Sequence, residues 1–278
     1  MRLFKLINSM GETFDLMRGD AFFQNPGGLG FDRDIATVQT GDVFSSLAVK
    51  SKQKTITGTM AFNGYETYAE FASFIKKSPL RLGYKPRSTW VYVDCDVQML
   101  SKGEMERDYK RLYCDINFLC YSKWYIPKFG ATTIKSIDEY TDRKAYDYQY
   151  PYTYRSSYNG QIELDISEDN TPLKITINGP CSNPAYTVRR AGEIVGKGQF
   201  YVELTDKEKL VVDANPRTME ASVYSLTGEL LRDAYANSNF TTERFLYLPS
   251  GKNNITITRT GTANVLAVAE VNDYADTV

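Results

Sequence analysis

The stretch Thr55-Ile56-Thr57-Gly58-Thr59-Met60-Ala61-Phe62, followed at once by Asn63-Gly64-Tyr65-Glu66-Thr67-Tyr68-Ala69-Glu70-Phe71-Ala72-Ser73-Phe74-Ile75, decides the fold class. Its first half has period two. Ile56, Gly58, Met60 and Phe62 share one face and the threonines and Ala61 the other, the pattern of a half-buried strand. In the second half the period changes to that of a helix. Tyr65, Tyr68, Phe71, Ala72 and Ile75 line up as one apolar stripe. Asn63, with Glu66 three residues on, reads as a capping box. Lys76 and Lys77 suit the negative end of the helix, and Pro79 stops it. No other segment has so strong a helical pattern, so the expectation is one helix among strands.

Toward the N-terminus, Leu3 to Leu16 holds a turn at Asn8-Ser9-Met10-Gly11-Glu12 and reads as a hairpin. Asn25-Pro26-Gly27-Gly28-Leu29-Gly30-Phe31 reads as a tight, irregular turn. It lacks the GK[ST] that a phosphate-cradling loop needs, and no helical pattern follows it. Beyond the helix, strands are expected at Leu80–Tyr84 and Trp90–Val97, and a charged turn or exposed strand ends at Lys102–Lys110. Leu112, Cys114, Ile116, Phe118 and Cys120 then alternate with Tyr113, Asp115 and Asn117 and run into Ser122-Lys123-Trp124-Tyr125. Residues 1–126 are therefore expected to form an α+β domain, one helix packed on a sheet.

Residues 127–160 are poor in aliphatic side chains and rich in charge. Tyr146, Tyr148, Tyr150, Tyr152 and Tyr154 alternate there, so an extended backbone sets all five rings on one face. Pro151 confines that segment to an edge or a linker. The face reads either as an interdomain strand laid over its own domain or as a docking or sugar-stacking surface. From residue 161 to 278 short alternating runs recur, as in Ile162/Leu164/Ile166 and Leu173/Ile175/Ile177, with turn candidates such as Leu226-Thr227-Gly228-Glu229. That rhythm predicts a β-sandwich, and the whole chain is expected to be mainly β.

Composition narrows the function. The chain has 278 residues, enough for two domains with real cores. It contains no histidine, which excludes Ser–His and Cys–His catalysis and removes the commonest metal ligand. Lys and Arg total 33 against 34 acids, so no basic excess points to sequence-specific nucleic-acid binding. Cys95, Cys114, Cys120 and Cys181 form no CxxC pair and read as small buried apolar groups, a disulfide being the alternative; a reducing compartment fits. Met1-Arg2-Leu3-Phe4-Lys5-Leu6 is too short and interrupted for a signal peptide, and no apolar run is long enough to insert in a membrane. Asp94/Asp96, Glu104/Glu106 and Glu168/Asp169 are the acidic pairs a glycosidase would need, and each reads better as solvated turn or strand residues. No catalytic residue, cofactor or metal site is expected.

The order of these features resembles the distal tail proteins of siphophages that infect Gram-positive bacteria. The matching elements are Leu6-Ile7-Asn8-Ser9-Met10-Gly11-Glu12, Gly28-Leu29-Gly30-Phe31, Tyr68-Ala69-Glu70-Phe71 leading into Leu80-Arg81-Leu82-Gly83-Tyr84, and Phe118 before Trp124-Tyr125. Later come Tyr148-Gln149-Tyr150-Pro151-Tyr152 and Phe245-Leu246-Tyr247-Leu248-Pro249-Ser250-Gly251-Lys252-Asn253. The resemblance implies that 1–126 builds a ring, a hexamer, at the end of the tail tube. It implies a galectin-like sandwich over 161–278, with 127–160 as the connection. A belt of about residues 24–49 would reach the neighbouring subunit, placing Asn25, Pro26, Gly28, Leu29, Phe31, Val38, Val43 and Phe44 at the interface. The alternative for that segment is a mobile surface loop. Implied partners are other copies of the chain, the tail tube protein and a tail-tip or adsorption protein, with DNA passing through the centre. The protein would be made in the host cytoplasm and end in the virion. Tyr148, Tyr150, Tyr152 and Tyr154 are the candidate docking face, and a carbohydrate-binding module is the competing reading of the second domain.

Overall fold

The computed structural model describes residues 2–105, 111–135 and 160–276. The chain forms two compact units: Met1–Ile126 with Tyr274–Val278, and Pro127–Asp273.

In the first unit, β1 (Leu3–Ile7) and β2 (Thr13–Asp15) form the expected hairpin. The Asn8 side chain shapes its turn by accepting the Met10 and Glu12 N–H groups at 3.0 Å each. Next come β3 (Ala21–Gly27), β4 (Arg33–Thr40), β5 (Val43–Ser51), β6 (Thr55–Phe62) and the helix α1 (Tyr65–Ile75). β7 (Leu80–Lys85), β8 (Val91–Leu100) and β9 (Leu112–Cys120) follow, and β10 (Trp124–Ile134) leads out of the unit. Antiparallel pairing runs β2-β1-β7-β8-β9-β6-β3. The sheet curls until its ends meet: the Phe23 N–H donates to the Leu16 carbonyl at 2.8 Å, and Met17 bridges Phe22. Curling closes most of the edge and encloses one core. Phe4 meets Phe23 edge-on at 5.2 Å, and Phe23 meets Phe118 at 5.9 Å. The helix drives Phe71 into that core against Phe14 and Phe62. Each such ring, fully buried, contributes about 1.5–3 kcal/mol.

Two local expectations are corrected. Asn63 does not cap α1. Gly64 is the N-cap, at φ 98, and no side chain caps the helix. A positive φ suits glycine, so the chain turns one residue later than the capping-box reading required. The apolar stripe shifts with it: Phe71 is buried, Tyr68, Phe74 and Ile75 pack partly against the core, and Tyr65 is exposed. The Asn25–Phe31 turn also begins later than expected. β3 continues through Pro26 to pair Gly27 with Thr57, absorbing the irregularity as a bulge between Gln24 and Gly27.

The second unit contains β11 (Gly160–Ile166), β12 (Thr171–Asn178), β13 (Cys181–Arg190), β14 (Glu193–Gln199), β15 (Glu203–Leu204) and β16 (Glu208–Asp213). β17 (Glu220–Ser225), β18 (Leu230–Asp233), β19 (Tyr247–Leu248), β20 (Gly251–Thr260) and β21 (Val265–Ala275) complete it, and β21 leads back toward the first unit. One sheet runs β11-β20-β13-β14, with β15 on β13. The other runs β18-β17-β16-β12-β21. Alternate residues of both sheets share a single core, among them Ile162, Leu164, Ile255 and Ile257 facing Leu173, Ile175, Leu210 and Ala267. This is the β-sandwich that the short alternating runs predict. The division of the chain differs from the expected one in two places. The second unit begins at Pro127, inside β10, and Tyr274–Val278 group with the first unit, because both connecting strands run past the boundary. The tyrosines 146–154, and Glu106, lie outside the described residues.

All four cysteines are buried and free. Cys114 and Cys120 share the inner face of β9, and burial pushes the Cys120 thiol up to about 11, so it packs as an apolar group.

One carboxylate in the sandwich gives a measurable consequence. Glu208, at the start of β16, accepts from the Arg232 guanidinium of β18 and from the Thr205 N–H at 2.8 Å. These bonds, that from Arg232 first, lower its pKa from 4.5 to about 2. In the unfolded chain the carboxylate protonates near its ordinary value, so its contribution to stability is complete above about 4.5 and is lost as pH falls through about 2. Glu208→Gln is therefore expected to lower the urea midpoint at about pH 7 while the difference from wild type narrows below about pH 4. Denaturation of both proteins across that range checks this; a pH-independent difference overturns it.

Candidate functional site: an exposed two-stranded arm and its root

Among the described residues, β4 and β5 pair with each other and with no other strand. Thr40 opposes Val43, leaving Gly41-Asp42 as a two-residue turn. Every residue of both strands is exposed. The segment expected as a belt is thus, from Arg33 to Ser51, a regular antiparallel ribbon. Its period was hidden because Leu47 is an extra residue: Ala36 pairs with Ala48 but Thr37 with Ser46, which breaks the alternation midway.

The register sorts the side chains. Ile35, Val49 and Phe44 lie on one face; Ala36, Ala48, Val38 and Val43 lie on the other. From Ile35 to Val49 the one charge is Asp42, at the tip. Phe44 and Leu47 are 67% and 70% exposed. Each face mixes these apolar side chains with uncharged polar ones, Thr37, Gln39 and Ser46 on the first and Thr40 and Ser45 on the second, so exposed apolar groups stand on both sides of the ribbon.

The root is built differently. Gly28 sits at φ 75 with room for no side chain: a Cβ there would come within 2.1 Å of the Thr55 carbonyl oxygen. The next carbonyls are caught by the body of the unit. The Trp124 indole N–H donates to the Leu29 oxygen at 3.1 Å, and the Lys54 ammonium donates to the Gly30 oxygen at 2.5 Å. Trp124 is completely buried, and burial lowers the Lys54 pKa. The Lys52 N–H closes the ribbon on the Asp32 carbonyl at 3.1 Å. Beside this root a cleft of about 350 Å³ is lined by Phe31, Arg33, Lys52, Lys54, Lys123 and Asp276.

The candidate interface residues divide accordingly. Val38, Val43 and Phe44 lie on the arm. Gly28, Leu29 and Phe31 lie in its root, with Leu29 packed against the core and Phe31 exposed. Asn25 and Pro26 belong to the bulged end of β3. Ile35, Leu47 and Val49 join the arm, although sequence reading did not single them out. The docking tyrosines Tyr148, Tyr150, Tyr152 and Tyr154 lie outside the described residues. Three of the candidate acidic residues hold neighbouring donors. Asp94 accepts from the Tyr125 hydroxyl at 2.8 Å, Asp96 from the Ser78 hydroxyl at 2.6 Å, and Asp169 from the Ser250 N–H at 2.7 Å. Among the described residues, no three His, Cys, Asp or Glu side chains group to hold a metal, and no helix is long and apolar enough to cross a membrane.

Comparison with known proteins places this architecture. Residues 3–121 match the family model of the distal tail protein, N-terminal domain. A chain of the phage P2 baseplate, solved in its activated conformation with calcium, superposes with a TM-score of 0.70 at 17% identity, over 100% of both chains. The same baseplate with strontium gives the same values. The SPP1 Dit protein, described as a paradigm of the hub adsorption apparatus in phages infecting Gram-positive hosts, superposes at 0.58 with 9% identity, over 96% of this chain and 98% of that one. At such identities the likeness is one of fold. No curated protein sequence matches.

The root geometry predicts a contrast between neighbouring glycines. Gly28→Ala is expected to cost about 1–3 kcal/mol, because φ and the Thr55 carbonyl both oppose a methyl group. Gly30→Ala, with nothing within 4 Å of its Cβ, is expected to be nearly neutral. Equilibrium unfolding of the two variants compares them; equal costs would show that the root is not held as described.

Proposed function

We propose that the chain, whose residues 3–121 match the N-terminal domain of the distal tail protein, has a structural role in a tail hub, and that the β4–β5 arm is the clasp by which its subunits close a ring. The observation that carries this is an arm with exposed apolar side chains on both faces, no charge from Ile35 to Val49 except Asp42, and no core of its own, held to the body at its root. Each subunit gives an arm and receives one, so the interface is heterologous and rotation closes it without free ends. A ring of six copies at the end of the tail tube, joining it to the tip or adsorption protein, fits this arrangement.

Magnitudes favour a clasp that works within an assembly. Covering Ile35, Val43, Phe44, Leu47 and Val49 is worth about 1.5–3 kcal/mol for each side chain. Association costs about 4–15 kcal/mol in lost freedom and side-chain ordering. The two are of similar size, so ring closure depends on concentration and on the tail tube as a template. The overall charge of −1 suits a hub around a DNA passage, since a strongly basic lining would retain the phosphates. The role is that of a virion component and not of an enzyme: Asp94, Asp96 and Asp169 are already engaged by neighbouring donors.

Replacing residues 34–50 by a short glycine–serine turn tests the clasp. Every residue removed is exposed, so the thermal transition of the protein is expected to stay in place. Light scattering and negative-stain imaging, with and without the tail tube protein, are expected to find rings for the intact chain and none for the armless one. Rings formed equally well by the armless chain would end the clasp reading.

A further inference from the structure

We infer that Asp276 is the positioning residue that sets the direction in which the arm leaves the body. This rests on the clasp reading above and adds to it a residue 243 positions from its partner in the arm. The arm has no buried side chain, so packing does not fix its angle. The Gly28–Gly30 root holds one of its two chain connections. Arg33, the first residue of β4, carries an ion pair out of the ribbon: its guanidinium meets one Asp276 carboxylate oxygen at 3.2 Å. The other oxygen meets the Lys123 ammonium at 2.8 Å. Lys123 lies in the turn just before Trp124, the residue that holds the Leu29 carbonyl. One carboxylate therefore joins the arm's first residue to the strand that already anchors its root. Lys54, on the same cleft, also feels the Asp276 charge.

The carboxylate itself is well seated. Tyr274, two residues before it, packs edge-on against Tyr125 at 5.8 Å. The Tyr125 hydroxyl donates to Asp94. The bonds from Lys123 and then Arg33 keep the Asp276 carboxyl below its ordinary range, so it stays ionised at neutral pH. Exposed ion pairs add little to folding stability. Here the competing states are not folded and unfolded but one arm direction and many, and a small bias decides between these. Restricting the swivel also removes an entropy cost that ring closure would otherwise carry.

The test uses the full chain with spin labels at Ser46→Cys on the arm and Ala69→Cys on the outer face of α1, both in the first unit and both exposed. The four native cysteines are buried and do not compete for label. Pulsed electron resonance is expected to give a narrow distance distribution for the labelled parent and a broad one for Asp276→Asn, with an unchanged thermal transition. Asp276→Glu is expected to restore the narrow distribution. Salt of about 1 M is expected to broaden the parent toward the Asn variant, because exposed pairs are screened at that strength. In parallel, the concentration for half-maximal ring formation is expected to rise about fivefold for Asp276→Asn, the effect of losing about 1 kcal/mol per subunit. An unchanged distance distribution in Asp276→Asn overturns the positioning role. So does a broadened distribution with ring formation unaffected. Failure of the clasp reading itself shows separately, as rings formed by the armless chain.

Discussion

The Leu29 and Gly30 carbonyls are the points on which the architecture turns. One accepts from the Trp124 indole and the other from the Lys54 ammonium, and both donors come from the body of the first unit. Past these two oxygens the chain leaves its core for 19 residues of ribbon in which no side chain is buried. A segment without a core has no energetic reason to be where it is. Its position comes from its attachment, and the attachment is polar because a carbonyl beside a buried aromatic must find a donor. Trp124 therefore does two things: its ring fills the core, and its N–H satisfies the root.

The remainder of the chain closes several of its strand edges. The first unit brings the ends of its sheet together, and the sandwich protects the edge strand β14 by directing the Lys197 N–H to the Glu243 carboxylate at 3.1 Å. Against that background the open arm is a departure. Exposed apolar side chains occur elsewhere too, Met10, Phe129 and Phe240 among them, but on the arm they stand on two paired strands that have no buried residue.

The sequence was informative wherever one side of a strand faces a core. The alternation in Thr55–Phe62 and Leu112–Cys120 maps onto β6 and β9, paired in one continuous register from Thr55↔Leu119 to Phe62↔Leu112. It was less informative where geometry depends on a single residue. The choice between Asn63 and Gly64 as cap turns on one φ angle that no pattern reports. The arm was partly legible: the resemblance placed a belt there, but its strands were not visible, because the extra residue Leu47 breaks the period. Asp276 was not legible at all. Nothing local distinguishes an aspartate in Asp273-Tyr274-Ala275-Asp276 from any other surface acid. Its role exists only because β21 returns the chain to the first unit.

That return changes how the two units depend on each other. A chain leaving its first domain in one strand and coming back in another cannot lose or rearrange the second domain without disturbing the residues that follow it. Here those residues include the carboxylate that meets Arg33 of the arm and Lys123 beside its anchor. In sequence, the sandwich is thus inserted within the first unit. Covalent continuity means that Asp276 is made only after the whole of the second unit. Completing the root therefore waits on the second unit, and a nascent chain that has made only the first 126 residues has an arm without the carboxylate that orients it.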